Sequence, residues 1–98
     1  MISSERWQTL SKRDQLAHIA SEIFRAKIAS NQNIYELVIE RAINLTGISL
    51  EDPKWRDNPL MPLSLRSELA SVYLDKSRDL EKLIKILEAN NVLSFSKN

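Results

Sequence analysis

Residues 63–90 read LSLRSELASVYLDKSRDLEKLIKILEAN, and this run contains neither glycine nor proline. Its large apolar residues recur at steps of three and four, the spacing that places side chains on one face of a helix. These residues are Leu65, Leu69, Val72, Tyr73, Leu80, Leu83 and Leu87. The stretch therefore predicts a C-terminal helix, which at about 1.5 Å per residue would be roughly 40 Å long.

The two halves of this stretch differ in their apolar surface. The first half carries a second apolar stripe, Leu63, Ala70 and Leu74, beside the main one, whereas the second half keeps a single narrow stripe. Lys76 interrupts the main stripe between the halves, and Ser77 is a residue type that caps a new helix. We favour one continuous helix over a break at this point. We expect its first half to pack inside the monomer and its second half to contact a single partner.

A first amphipathic helix is predicted over residues 11–30. Ser11 followed three residues later by Asp14 resembles a capping box, with Asp in place of the usual Glu or Gln. The apolar residues of this segment fill one half of a helical wheel and the charged residues fill the other. The apolar half consists of Leu16, Ala17, Ile19, Ala20, Ile23, Phe24 and Ile28.

A second helix is predicted over residues 33–46. Asn33 with Glu36 three residues later is an N-cap signature, and Gly47 suits the left-handed residue that often follows a helix. Apolar residues surround most of this segment, so the helix should have neighbours on more than one side. We therefore expect it to be the central helix.

The fold class that follows is all-α, a small helical bundle of three helices with a long C-terminal helix, or of four if that helix is split. Of 98 residues, 43% are apolar and 28% are charged, proportions typical of one folded domain spanning the chain. All three prolines fall within residues 47–62, which predicts a packed crossover before the last helix. A tail is predicted at residues 91–98.

Composition disfavours several functional classes. The net charge is only +1, so a general attraction to nucleic acid or to acidic membranes is not expected. The absence of cysteine excludes disulfides and thiolate metal sites. The sequence shows no signal-peptide pattern and no apolar run of about 20 residues, so we expect a cytoplasmic protein with no cofactor.

Three patterns carry possible chemistry. His18 lies between Asp14 and Glu22 at helical spacing, which is typical of a solvated charge ladder and is an incomplete set of metal ligands. A row of cations, Arg78, Lys82 and Lys85, is an alternative site for phosphate contacts in a nucleic-acid-associated regulator, although acidic residues are interleaved with it.

Arg13 and His18 form the third pattern, Arg-x4-His. It resembles the motif of the HEPN group of helical ribonucleases, and the resemblance implies a catalytic Arg and His acting on a phosphodiester. It covers two residues, which on an ideal helix point about 140° apart. We therefore do not assign the family, and we do not expect an enzyme.

The function that the sequence favours is a non-catalytic interaction, adaptor or regulatory module that acts through an apolar helix face. We expect it to form a homodimer or to bind a protein partner. The predicted interface consists of Leu80, Leu83, Ile84, Leu87 and Trp55. Trp55, in the crossover, is either a lid over the core or an anchor for the partner.

Overall fold

The computed structural model describes residues 2–90, and the predicted tail at 91–98 lies outside the described residues. Within them the chain is helical and forms no strand, which confirms the predicted all-α bundle. The helices are α1 (Ser4–Gln8), α2 (Lys12–Lys27), α3 (Gln32–Leu50), α4 (Leu60–Leu74) and α5 (Glu81–Ala89), with a 3-10 turn at Pro53–Trp55. Among residues 2–90, no helix combines the length and apolar character that crossing a membrane requires.

The start of α2 is as predicted. The Ser11 hydroxyl accepts a hydrogen bond from the Asp14 backbone N–H at 3.1 Å, which satisfies one of the free amides of the first turn. Ile19 and Ile23 are fully buried, whereas Phe24 and Ile28 of the predicted apolar half are 39% and 80% exposed. The helix ends at Lys27, three residues before the predicted end.

Helix α3 is the central element, as expected, and contacts α1, α2 and α4. Its limits differ from the prediction at both ends. Asn31 rather than Asn33 is the N-cap, since its side-chain oxygen accepts from the Ile34 backbone N–H at 2.9 Å. At the other end the helix continues through Gly47, which does not adopt a positive φ.

Burial explains why α3 does not stop at Gly47. The next turn contains Ser49, which is fully buried and whose hydroxyl both donates to the Leu45 carbonyl and accepts from the Trp7 indole N–H. The last turns of α3, which include Gly47, are therefore held in helical form by the contact between Ser49 and Trp7 of α1. These contacts outweigh the helix-breaking tendency of one glycine, which amounts to about 1 kcal/mol.

The predicted continuous C-terminal helix is wrong: the chain breaks between α4 and α5. Lys76 has a φ of 55°, in the left-handed region. The Ser77 N–H donates to the Val72 carbonyl at 2.9 Å, and the Lys76 N–H donates to the Tyr73 carbonyl at 3.2 Å. This hydrogen-bond pattern is a Schellman motif, which ends a helix and turns the chain. Helix α5 then folds back against α4 and α2, which gives the four-helix alternative.

Candidate interaction surface

The predicted interface on α5 is occupied within the chain itself. Leu80, Leu83 and Leu87 are 4%, 0% and 0% exposed, and Ile84 packs against the same core. The expectation that this stripe remains free for a partner is therefore corrected. The reason is the turn at Lys76: once α5 can fold back, its apolar face is buried without the entropy cost of recruiting a second molecule. Self-association itself stays a prediction.

Trp55 is a lid over the core, with 3% of its surface exposed. Its indole N–H donates to the Gln15 side-chain oxygen at 2.6 Å, and the Gln15 amide nitrogen donates to the Asp52 carboxylate at 2.8 Å. Burial raises the pKa of Asp52, but hydrogen bonds from the Lys54 backbone, the Gln15 amide and the Lys54 ammonium outweigh this effect and hold the pKa below its ordinary value. These bonds fasten the crossover to α2.

The row of cations is largely engaged by neighbouring groups. The Arg78 guanidinium donates to the Ala29 backbone carbonyl at 2.7 Å, which ties the α4–α5 turn to the end of α2. Lys85 lies 3.5 Å from the Glu81 carboxylate in the preceding turn of α5. Lys82 is exposed. Of the three cations, Arg78 is thus bound to a backbone carbonyl and Lys85 is paired with a carboxylate.

The structure separates Arg13 from His18. Arg13 borders a groove that also contains Trp55, whereas His18 borders a different cleft with Glu22, so the two side chains do not line one site. The triplet of His18 with Asp14 and Glu22 does not form a metal site either. Within residues 2–90, no group of three His, Asp or Glu side chains is close enough to hold an ion.

The outer side of α4 exposes an apolar face. Other exposed large apolar residues among those described lie on or next to α2 and α3: Phe24, Ile28, Ile34 and Leu37. Leu60, Leu63 and Leu74 are 71%, 45% and 78% exposed. With Ser67 and Ala70 they follow the alternating steps of three and four that align side chains on one face of a helix. We call these five residues the α4 stripe. It contains no charged residue and has small side chains at its middle.

The α4 stripe lies opposite the face that α4 buries in the core. That buried face contains Leu65, Leu69 and Val72. The first half of the predicted helix packs inside the monomer against α3, as expected, but only through this face. The second stripe, through Leu63 and Leu74, lies on the surface. Periodicity identified both faces as apolar, and packing against α3, together with α5, decides which one is covered.

Few charges border the stripe. By helical position, Arg66 and Tyr73 flank one side of it, and Ser64 and Ser71 flank the other. The nearby carboxylate of Glu40, on α3, raises the pKa of Tyr73 above its ordinary value. The surface is therefore an apolar strip with a single cation at its edge.

Comparisons with other proteins add no further guide to function. The chain matches no protein-family model, no curated protein and no solved structure.

Proposed function

We propose that this chain is a non-catalytic protein–protein interaction module, of an adaptor or regulatory kind, that self-associates through the α4 stripe. The observation that supports this proposal is the exposure of Leu60, Leu63 and Leu74 in a single line, on a helix whose opposite face forms the core. Exposed apolar residues scattered singly are ordinary on protein surfaces, whereas an aligned set is typical of a contact site.

A second copy of the chain is the occupant that fits the stripe best. When two α4 helices pack antiparallel about a two-fold axis, Leu63 of one copy faces Leu74 of the second copy, and Ser67 faces Ala70. Large side chains thus meet at both ends while small ones meet at the centre, where they let the helix axes approach closely. A stripe without charges also offers nothing that would select a charged partner.

The exposed area implies a weak dimer. The exposed fractions of the three leucines amount to nearly two whole leucine side chains per copy. Burial of one leucine contributes about 1.5–3 kcal/mol, so the dimer gains roughly 6–12 kcal/mol before association costs of about 4 kcal/mol or more. The difference, roughly 2–8 kcal/mol, includes the values that correspond to a Kd on the order of 10–100 µM, and we expect a transient contact in this range.

Sedimentation velocity over about 5–500 µM tests this proposal. The wild type should shift from monomer to dimer across this range. Leu63→Glu and Leu74→Lys should each remain monomeric, because each places an unpaired charge against a leucine of the second copy. Both residues are exposed in the monomer, so the variants should keep the wild-type helix content by circular dichroism.

Two further samples test the antiparallel register and the choice of surface. The double variant Leu63→Glu/Leu74→Lys should regain dimerisation, since each Glu then faces a Lys, whereas a parallel pair would place like charges together. Ile28→Ser, at an equally exposed aliphatic residue at the end of α2, should dimerise like the wild type. A wild type that is monomeric at the highest concentration would overturn the proposal.

A further inference from the structure

The turn between α4 and α5 places a lysine in a strained conformation. Lys76 has a φ of 55°, in the left-handed region, which is costly for residues other than glycine, asparagine and aspartate. Residues 75–80 contain neither glycine nor proline, so the same segment is also able to continue as a helix. The turn therefore competes with a straight connection between the two helices.

Helix α5 runs antiparallel to both α2 and α4, the helices that it contacts. Its beginning lies at the end of α2, where the Arg78 guanidinium donates to the Ala29 carbonyl at 2.7 Å. Its end lies near the start of α2 and the start of α4, since Asn90 borders one groove together with Lys12 and Met61. The chain thus turns back along the helices that precede it.

The buried faces of α4 and α5 are in phase along the sequence. The residues that form them are Leu65, Leu69, Val72, Leu80, Leu83 and Leu87, all of which are buried. On a straight helix with about 100° per residue, all six fall within an arc of roughly 80°. A single helix over α4 and α5 would therefore present one continuous apolar face, interrupted by Lys76.

We propose that two copies of this chain exchange α5. In each copy α4 and α5 join into one straight helix, and α5 packs against α4 and α2 of the second copy. A two-fold axis across such helices makes them antiparallel, so α5 meets the second copy's α4 in the same relative direction as in the monomer. Lys76 then lies where the long helices cross, with Asp79 three residues further on to balance its charge.

Concentration decides between the closed and the exchanged chain, because the same apolar side chains are buried in both. A straight connection relieves the strained conformation of Lys76. The turn, in contrast, is held by the hydrogen bond from the Tyr35 hydroxyl to the Ser77 carbonyl. A short connection keeps α5 near its own core at an effective concentration in the mM range, roughly 1 mM or more. A second copy therefore competes when chains fold at a similar concentration.

Refolding from urea at two concentrations tests this inference. The Leu63→Glu variant is used, because it removes the contact through the α4 stripe, and the outcome is then independent of the function proposed above. At least about a tenth of the chains should elute as dimer in size-exclusion chromatography after refolding at about 2 mM, and none after refolding at about 20 µM. Monomer alone at both concentrations would overturn the proposal.

Two substitutions at the turn test its role. Lys76→Gly adopts the left-handed conformation freely and disfavours a straight helix, so its dimer fraction at about 2 mM should fall at least about threefold. Lys76→Ala is the matched control, because alanine keeps the strain of the turn and favours the helix, and its dimer fraction should equal or exceed that with Lys76. Equal dimer fractions for the two variants would contradict the exchange.

A distance within one chain of the isolated dimer identifies the exchanged element. The chain has no cysteine, so Arg66→Cys and Glu88→Cys, both at exposed positions, take spin labels specifically. Electron–electron double resonance on labelled chains refolded with excess unlabelled chain measures this distance. In the closed chain the labels lie on neighbouring helices, whose axes are about 10 Å apart. In the exchanged dimer they lie on one helix, roughly 33 Å apart at about 1.5 Å per residue. A dimer that keeps the short distance would exclude exchange of α5.

Discussion

The Gln15 side chain forms hydrogen bonds with both the N-terminal segment and the crossover. It is fully buried, and its amide nitrogen donates to the Trp7 carbonyl and the Asp52 carboxylate while its oxygen accepts from the Trp55 indole. Only a side-chain amide offers donors and an acceptor together at this length. Glutamate would lose the donors and would place a second carboxylate beside Asp52.

We predict that Gln15→Leu lowers the free energy of unfolding by about 3 kcal/mol or more. The substitution keeps the position filled, but it leaves the buried Trp55 indole N–H without an acceptor. It also removes one of the two donors to Asp52 Oδ2, which then keeps only the Lys54 ammonium. Urea denaturation followed by circular dichroism measures the change.

The matched control is Gln8→Leu. Gln8 is exposed at the end of α1, and this variant should stay within about 0.5 kcal/mol of the wild type. Equal stabilities for the two variants would show that the buried hydrogen bonds contribute nothing measurable.

At the scale of elements, tertiary contacts hold the break between α4 and α5. The Tyr35 hydroxyl donates to the Ser77 carbonyl at 2.6 Å, and the Arg78 guanidinium lies over the Tyr35 ring. Ser77 contributes a local bond, as its hydroxyl accepts from the Asp79 N–H, and the Asp79 carboxylate accepts from the Glu81 N–H where α5 begins. The break is therefore held by α3 as well as by its own residues.

We predict that Lys76→Gly stabilises the protein by about 0.5–1 kcal/mol. The left-handed conformation costs a lysine roughly 1–2 kcal/mol, whereas glycine adopts it freely and loses only part of this gain through its greater freedom in the unfolded chain. Thermal and urea denaturation give the difference directly.

Lys85→Gly is the control for this prediction, because Lys85 is an exposed lysine within α5. Glycine at that position should destabilise the protein by about 1 kcal/mol. If Lys76→Gly destabilised the protein equally, the left-handed conformation would not be the strained feature that we infer.

The apolar periodicity was sufficient to predict α2 and the helical character of most of residues 63–90, and the Ser11–Asp14 pair was sufficient to predict the cap of α2, because these depend on residues a few positions apart. Periodicity was not sufficient to locate the break between α4 and α5 or the C-terminal end of α3. The break has Lys76 where glycine is usual, so it carries no strong local signal. The passage of α3 through Gly47 depends on burial of Ser49 against Trp7, which is distant in sequence.

At the scale of the whole molecule, the bundle is flattened, with extents of 35 × 31 × 20 Å. Since a helix with its side chains is about 10–12 Å wide, the short dimension holds two layers. Helix α3 lies between α2 and α4, and α5 packs against both of these outer helices. Each outer helix therefore keeps one face on the surface, and on α4 that face is the α4 stripe.

We predict that the thermal midpoint rises with protein concentration. Dimerisation stabilises the folded state by mass action, so raising the concentration from about 10 to 500 µM should raise the midpoint of the wild type by a few degrees. Differential scanning calorimetry should show no such dependence for Leu63→Glu. The same rise in both proteins would indicate association through another surface.

The sequence by itself determined the helical class, the cap of α2 and the apolar faces of α2 to α5, because helix formation and capping depend on neighbours within a turn or two. It did not indicate α1. Only the tertiary structure decided which of the apolar faces is buried. Residues 63–90 offer three stripes to the core, and periodicity states that each is apolar but not which neighbour covers it. With the turn at Lys76, the α5 stripe and the main α4 stripe share one core, and the stripe through Leu63 and Leu74 remains outside.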